Sequence, residues 1–218
     1  MLFGRGRELR VKICGITSAA DARMAVDAGA DALGFNFYRP SPRYIEPDAA
    51  ARIIARLPKR VVKVGVFVDE SAPRVREIAD AVGLDVVQLH GHERPFRVRH
   101  VSQSRPVIKA FRVRPGFPPA RLARYPAAAA FLLDGYRPGL QGGTGMRFDW
   151  SLAKRAARYG AIILAGGLRP ENVVEAISRV RPYAIDICSG VESRPGKKDP
   201  AKLRELMRQV RRMKRKRP

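Results

Sequence analysis

Residues 10–37, Arg-Val-Lys-Ile-Cys-Gly-Ile-Thr-Ser-Ala-Ala-Asp-Ala-Arg-Met-Ala-Val-Asp-Ala-Gly-Ala-Asp-Ala-Leu-Gly-Phe-Asn-Phe, read as strand, helix, strand. The run 10–14 is apolar apart from its charged members and stops at Gly15. Ser18 stands where a helix N-cap is needed before the amphipathic stretch 18–28. A second β-rich run follows at 31–37, and the same alternation repeats along the rest of the chain. Further β-rich runs lie at 61–68, 85–89, 106–111, 129–133, 161–164 and 184–187. Amphipathic stretches separate them at 47–57, 71–82, 93–101, 118–125, 151–159, 170–180 and 199–213, with Ser71, Ser151 and Asp199 as further expected caps. Pro residues crowd 115–119, which weakens the helical pattern there.

Eight β-α units in a chain of 218 residues predict a single-domain α/β protein, a (βα)8 TIM barrel. The strands are apolar runs rather than strict alternations, as parallel strands covered by helices are. A doubly wound open sheet is the competing fold. The expected boundaries are an N-terminal extension at 1–9, a barrel at 10–213 and a basic tail at 214–218.

Two ionisable residues close apolar strands and precede Gly: Cys14 in Val11-Lys12-Ile13-Cys14-Gly15, and Asp134 in Phe131-Leu132-Leu133-Asp134-Gly135. Barrels place reactive side chains at such strand ends, and one base with one acid suggests proton transfer. Period-two alternation puts Lys12 beside Cys14, Gln88 beside His90 and Asp186 beside Cys188, each pair on one strand face. An ammonium at Lys12 would favour the Cys14 thiolate. The bland reading of Cys14 is a small core hydrophobe. Asp134 has no such reading, because a buried carboxylate needs a partner or a proton.

Ala165-Gly166-Gly167-Leu168 follows the seventh strand and Cys188-Ser189-Gly190-Val191-Glu192 the eighth. These two loops often cradle phosphate in barrels through backbone N–H groups. The long Gly-rich segment 135–150 reads as a functional loop beginning at Asp134. It carries Gly142-Gly143-Thr144-Gly145 but lacks the Lys of a P-loop. The spacing of His90 and His92 has no second cluster to complete a metal site. The residues alone therefore point to an isomerase of a phosphorylated sugar, without cofactor or metal.

The chain carries 43 Lys and Arg against 20 Asp and Glu, a formal net charge of +23. Such a balance raises binding to nucleic acid as an alternative function. Much of the excess sits at one end, where Arg204, Arg208, Arg211, Arg212, Lys214, Arg215, Lys216 and Arg217 face only Glu205; elsewhere the Arg residues are scattered without aromatic interleaving, so a solvated basic surface is preferred and no specific nucleic-acid partner is expected. No apolar run reaches the length of a membrane span, and the N-terminus has no signal-like apolar core. Two Cys do not make a disulfide framework. A cytoplasmic protein, monomer or homodimer, acting on a small molecule is expected.

The ordered motifs Val11-Lys12-Ile13-Cys14-Gly15-Ile16-Thr17, Gly29-Ala30-Asp31-Ala32-Leu33-Gly34-Phe35 and Ser41-Pro42-Arg43-Tyr44-Ile45 open a resemblance that runs on through Val64-Gly65-Val66-Phe67, Gln88-Leu89-His90-Gly91, Leu132-Leu133-Asp134, Gly142-Gly143-Thr144-Gly145 with Phe148-Asp149-Trp150, Leu164-Ala165-Gly166-Gly167-Leu168, and Ser189-Gly190-Val191-Glu192 with Pro195-Gly196-Lys197-Lys198-Asp199. From about residue 10 onward the chain resembles the phosphoribosylanthranilate isomerase family of tryptophan biosynthesis. The resemblance implies a cofactor-free Amadori rearrangement of N-(5′-phosphoribosyl)anthranilate. It places the general base at Cys14 and the general acid at Asp134, with Arg43 on the anthranilate carboxylate. His90 and Asp186 line the pocket, and Gly166, Gly167, Ser189 and Gly190 hold the phosphate. Another phosphosugar isomerase or epimerase on the same barrel is the enzymatic alternative. The family commonly has Ser at the position of Cys188. Because strands one and eight are neighbours in a closed barrel, Cys14 and Cys188 are expected close enough to oxidise.

Overall fold

In the computed structural model, which describes residues 9–135 and 150–215, eight parallel strands pair in sequence order and the eighth pairs with the first. They are β1 (Arg10–Cys14), β2 (Ala32–Asn36), β3 (Val62–Phe67), β4 (Val86–Leu89), β5 (Val107–Val113), β6 (Ala130–Gly135), β7 (Ile162–Leu164) and β8 (Ala184–Ile187). Closure settles the choice between barrel and open sheet. The first eight residues, the Gly-rich connection 136–149 and residues 216–218 lie outside the described residues, and with them the expected extension, the loop motif and the end of the tail.

Helices α1 (Ala19–Ala28), α2 (Pro47–Ile54), α3 (Ala72–Val82), α4 (Pro95–Ser102), α5 (Trp150–Ala156), α6 (Val173–Val180) and α7 (Pro200–Arg215) cover the barrel. Local chemistry starts and stops them. Ser18 and Ser71 accept from the backbone N–H groups of Asp21 and Arg74, and Asp199 accepts from Ala201 and Lys202. Gly29 and Gly83 end α1 and α3 in the left-handed conformation.

Three sequence expectations change. The stretch 118–125 forms a 3-10 helix over Pro119–Arg124, the tighter turn that short connectors use. Ser151 lies inside α5, whose first residue is Trp150. The stretch 170–180 turns helical only at Val173, because Asn172 spends its side chain on the preceding loop.

Period-two alternation divides each strand between two cores. Outward residues such as Val11, Ile13, Leu33, Phe35, Leu89 and Leu133 join the helices in one buried layer. Inward residues Ala32, Val64, Val86, Ile108, Ala110, Ala130, Leu132, Ile163 and Ala184 fill the barrel interior. Burial of each large aliphatic side chain contributes about 1.5–3 kcal/mol. The same inward alternation, carried one step further toward the strand C-termini, delivers Cys14, His90, Asp134 and Cys188 to the mouth.

Candidate active site

The mouth holds a cleft of about 740 Å³. Every residue expected there lines it: Cys14, Arg43, His90, Asp134, Gly166, Gly167, Asp186, Ser189 and Gly190. The arrangement therefore brings together residues that are up to 176 positions apart in the chain, from Cys14 to Gly190.

At the β1 side the chemistry is built on buried charge. Lys12 is 1 % exposed and stands directly opposite Asp186 in the β1–β8 ladder. Its Nζ donates to Asp186 Oδ2 at 2.9 Å. Burial works against the ammonium, but Asp186 and Cys14 outweigh it and hold Lys12 above its ordinary value. Burial also pushes the Asp186 carboxyl up to about 7, with Lys12 pulling the other way.

Cys14 sits just above this pair, half-buried. The Cys188 thiol is in hydrogen-bond contact with it, and the Lys12 and Lys198 ammonium groups face it. Together they overcome burial and hold the Cys14 thiol well below its ordinary value. The contact with Cys14, followed by burial, pushes Cys188 the opposite way. Cys14 is thus the thiolate of the pair and Cys188 its donor. Gly34 on β2 makes room for the Cys14 side chain: a Cβ there would lie 2.7 Å from Cys14 Sγ and 3.1 Å from Lys12 Cε.

Asp134, the penultimate residue of β6, lies across the mouth, buried, and pairs with Arg112 of β5 in the ladder. His90 follows β4, and its Nε2 lies 3.6 Å from Asp134 Oδ2. Burial, then Arg112, Lys109 and Lys12, push the imidazole down to about 3, so the ring is neutral at pH 7. Gln88 Nε2 stands 3.0 Å from His90 Nδ1. An amide nitrogen donates, so Nδ1 accepts and the ring proton sits on Nε2, facing Asp134. Beneath His90, the Lys109–Glu93 pair at 2.8 Å fastens the loop: Lys109 also donates to the carbonyls of Leu89, Gly91 and Ala110, and Glu93 accepts from Gly91 N and Asp69 N.

The loops after β7 and β8 interlock. Gly166 and Gly167 have φ of 80° and 66°, a left-handed pair that suits glycine. A Cβ on Gly190 would stand 1.9 Å from the Leu168 carbonyl oxygen, so only glycine lets the two loops meet. Asn172 Nδ2 donates to Gly167 O at 2.7 Å and Asn172 Oδ1 accepts from Arg169 N, closing the first loop. Consecutive turned glycines and neighbouring backbone N–H groups form the kind of concavity that takes an anion.

Arg43 lines the cleft with its guanidinium already engaged. Its Nε donates to both oxygens of Glu192, at 3.0 and 3.1 Å, and its Nη2 donates to Oε2 at 2.7 Å. The β2–α2 loop that carries it is knitted by Asn36 and Ser41: Asn36 Nδ2 donates to Ser41 Oγ, which accepts also from Arg43 N. Sequence reasoning missed Glu192, Asn172, Asn36 and Gly34 as site-builders. Glu192 and Gly34 stand inside the ordered motifs and Asn36 and Asn172 do not, and nothing local distinguishes a Glu that clamps an Arg 149 positions away from one in solvent.

Fold and site together define a (βα)8-barrel enzyme whose cleft is made by the C-terminal ends of the strands. The family model described as N-(5'phosphoribosyl)anthranilate (PRA) isomerase matches residues 11–209. An N-(5'-phosphoribosyl)anthranilate isomerase from Citrifermentans bemidjiense is 54% identical over 204 residues, 94% of this chain and 98% of that one. The crystal structure of phosphoribosyl anthranilate isomerase from Thermus thermophilus superposes with a TM-score of 0.87 at 43% identity, covering 94% of this chain and 100% of that one. A phosphoribosyl anthranilate isomerase in complex with reduced 1-(o-carboxyphenylamino)-1-deoxyribulose 5-phosphate gives 0.84 at 42% identity, covering 93% and 98%. The chain belongs to the N-(5'-phosphoribosyl)anthranilate isomerase family.

Proposed function

We propose that the enzyme converts N-(5′-phosphoribosyl)anthranilate to 1-(2-carboxyphenylamino)-1-deoxyribulose 5-phosphate, a step of tryptophan biosynthesis, by acid–base catalysis at Asp134 and Cys14. The observation that carries this reading is the pairing, in one cleft, of a thiol favoured as thiolate with a carboxyl on a facing strand. Asp134 gives a proton to the ribose ring oxygen, and the ring C1′–O bond breaks to leave an open-chain imine. Cys14 takes the proton from C2′, and the electron pair passes to C1′–C2′ as the enolamine forms. Protonation at C1′ and loss of the hydroxyl proton give the ketose. Atoms balance without any external oxidant or reductant.

The anion-shaped loops at Gly166, Gly167, Ser189 and Gly190 take the phosphate, and Arg43 takes the anthranilate carboxylate. Neutral His90 and the Asp186 carboxyl line the ribose between these ends, where both can hydrogen-bond hydroxyls. Residues 10–213 are the catalytic barrel in this reading.

Kinetics of two variants test the roles. Cys14→Ala should lower kcat by about a hundredfold or more, as loss of a positioned base does. Arg43→Ala should chiefly raise KM. A Cys14→Ala enzyme with wild-type kcat would remove the base from Cys14, and an unchanged KM would move the carboxylate site away from Arg43.

A further inference from the structure

Glu192 is a buried carboxylate that proton transfer at Cys14 and Asp134 does not use, yet four donors converge on it: Arg43 Nε and Nη2, Lys198 Nζ and Gly196 N. Arg43 takes both of its oxygens. Lys198 Nζ donates to Oε1 at 2.9 Å and the Gly196 N–H to Oε1 at 3.4 Å, while Cys188 Sγ, whose proton goes to Cys14, lies 3.8 Å from Oε1. Lys198 is itself 1 % exposed, and its Nζ donates also to the Cys14 carbonyl.

A buried Glu held by a buried Lys and a guanidinium has an ordinary structural role: each charge needs a partner. Two features go beyond that need. First, two cations share one anion, so the trio of Arg43, Lys198 and Glu192 keeps a net positive charge at the edge of the cleft. Second, the contacts consume the Nε and Nη2 side of Arg43. Its Nη1 makes no hydrogen bond to any described residue, while the side chain lines the cleft. The stem of Arg43 is fixed as well, because a Cβ on Gly15 would lie 2.8 Å from Arg43 Cδ.

We propose that Glu192 is a positioning residue for substrate recognition: it clamps one side of the Arg43 guanidinium so that the Nη1 side is presented to the aromatic carboxylate of the substrate. The inference rests on the functional reading above, in which Arg43 meets that carboxylate. A guanidinium held in advance loses little side-chain freedom when the ligand arrives, and its affinity gain is correspondingly specific to the carboxylate. Without the clamp the Arg43 side chain gains rotamers and can turn toward solvent. The phosphate and ribose contacts are made by groups other than the Arg43 guanidinium and stay as they are.

The test measures binding of two ligands by calorimetry. One is reduced 1-(2-carboxyphenylamino)-1-deoxyribulose 5-phosphate, and the other is the same compound with phenyl in place of carboxyphenyl. Glu192→Gln should weaken the first by about tenfold or more, the scale of one charge-assisted contact, and leave the second within about twofold of wild type. Glu192→Asp keeps the negative charge beside Lys198 but is one methylene shorter. It should show the same selective loss, and it carries the test if Glu192→Gln does not fold. Equal weakening of both ligands, or of neither, would overturn the positioning role. Failure of the wild type to bind either ligand would instead refute the functional reading, and the inference with it.

Discussion

His90 owes its neutral state to its surroundings. Burial and three nearby cations push its value down to about 3 from an ordinary 6.5. The folded protein therefore disfavours the charged ring relative to the unfolded chain. That contribution to stability is fully present above pH 6.5 and is lost as pH falls toward 3. His90→Asn should flatten the decline in urea-unfolding free energy between those limits, and an unchanged slope would contradict the burial argument. The two thiols offer a second residue-scale test. Ile13 and Ile187 pair in the β1–β8 ladder, so Cys14 and Cys188 follow as the next residues on strands about 4.8 Å apart. That spacing lies within the ~4.4–6.8 Å Cα separation a disulfide accepts. Hydrogen peroxide should convert the Cys14 thiolate and the Cys188 thiol to a disulfide, with water and hydroxide as the other products. Activity should vanish and return with dithiothreitol, whereas full activity after peroxide would contradict the proximity argument. Asp134 was legible as a single residue because a buried carboxylate needs a partner or a proton, whereas Cys14, which could pass for a small core hydrophobe, stood out only by its place at a strand end. Glu192 was not legible in either way, since its meaning depends on Arg43.

At the scale of elements, the loops after β7 and β8 behave as one unit. Gly190 abuts the Leu168 carbonyl and Asn172 ties Gly167, so each loop sets the shape of the other. A methyl group at Gly190 forces backbone apart rather than displacing a side chain. Gly190→Ala should raise KM for the phosphorylated substrate by about tenfold or more and weaken inhibition by inorganic phosphate in parallel. Wild-type values for both would move the phosphate elsewhere. The glycine pair and its place after the seventh strand could be read from the chain, but the interlock could not: it joins residues that share no local pattern. The 3-10 helix at Pro119–Arg124 shows the complementary case. There amphipathic spacing predicts a helix but does not tell the tighter 3-10 turn of a short connector from an α-turn.

For the whole molecule, barrel closure is what converts eight separate strand ends into one cleft. Repetition of strand and helix made that closure legible, because parallel strands joined by helices must close or stay open at two edges. Charge was less legible. Much of the formal +23 sits at the C-terminal end, where Arg204, Arg208, Arg211 and Arg212 are exposed on α7, yet the cations that matter to the site, Lys12, Lys198 and Arg43, are few and each is held by a carboxylate. A total therefore says little about where a charge acts. The central claim is that acid and base from β6 and β1 act on one substrate inside this cleft. Loss of N-(5′-phosphoribosyl)anthranilate fluorescence, with the substrate generated in situ, tests it most directly when wild type is run beside Asp134→Asn. Wild type should turn over rapidly, and the variant should fall by about a hundredfold or more in kcat. Equal turnover by both, or none by reduced and folded wild type, would contradict it.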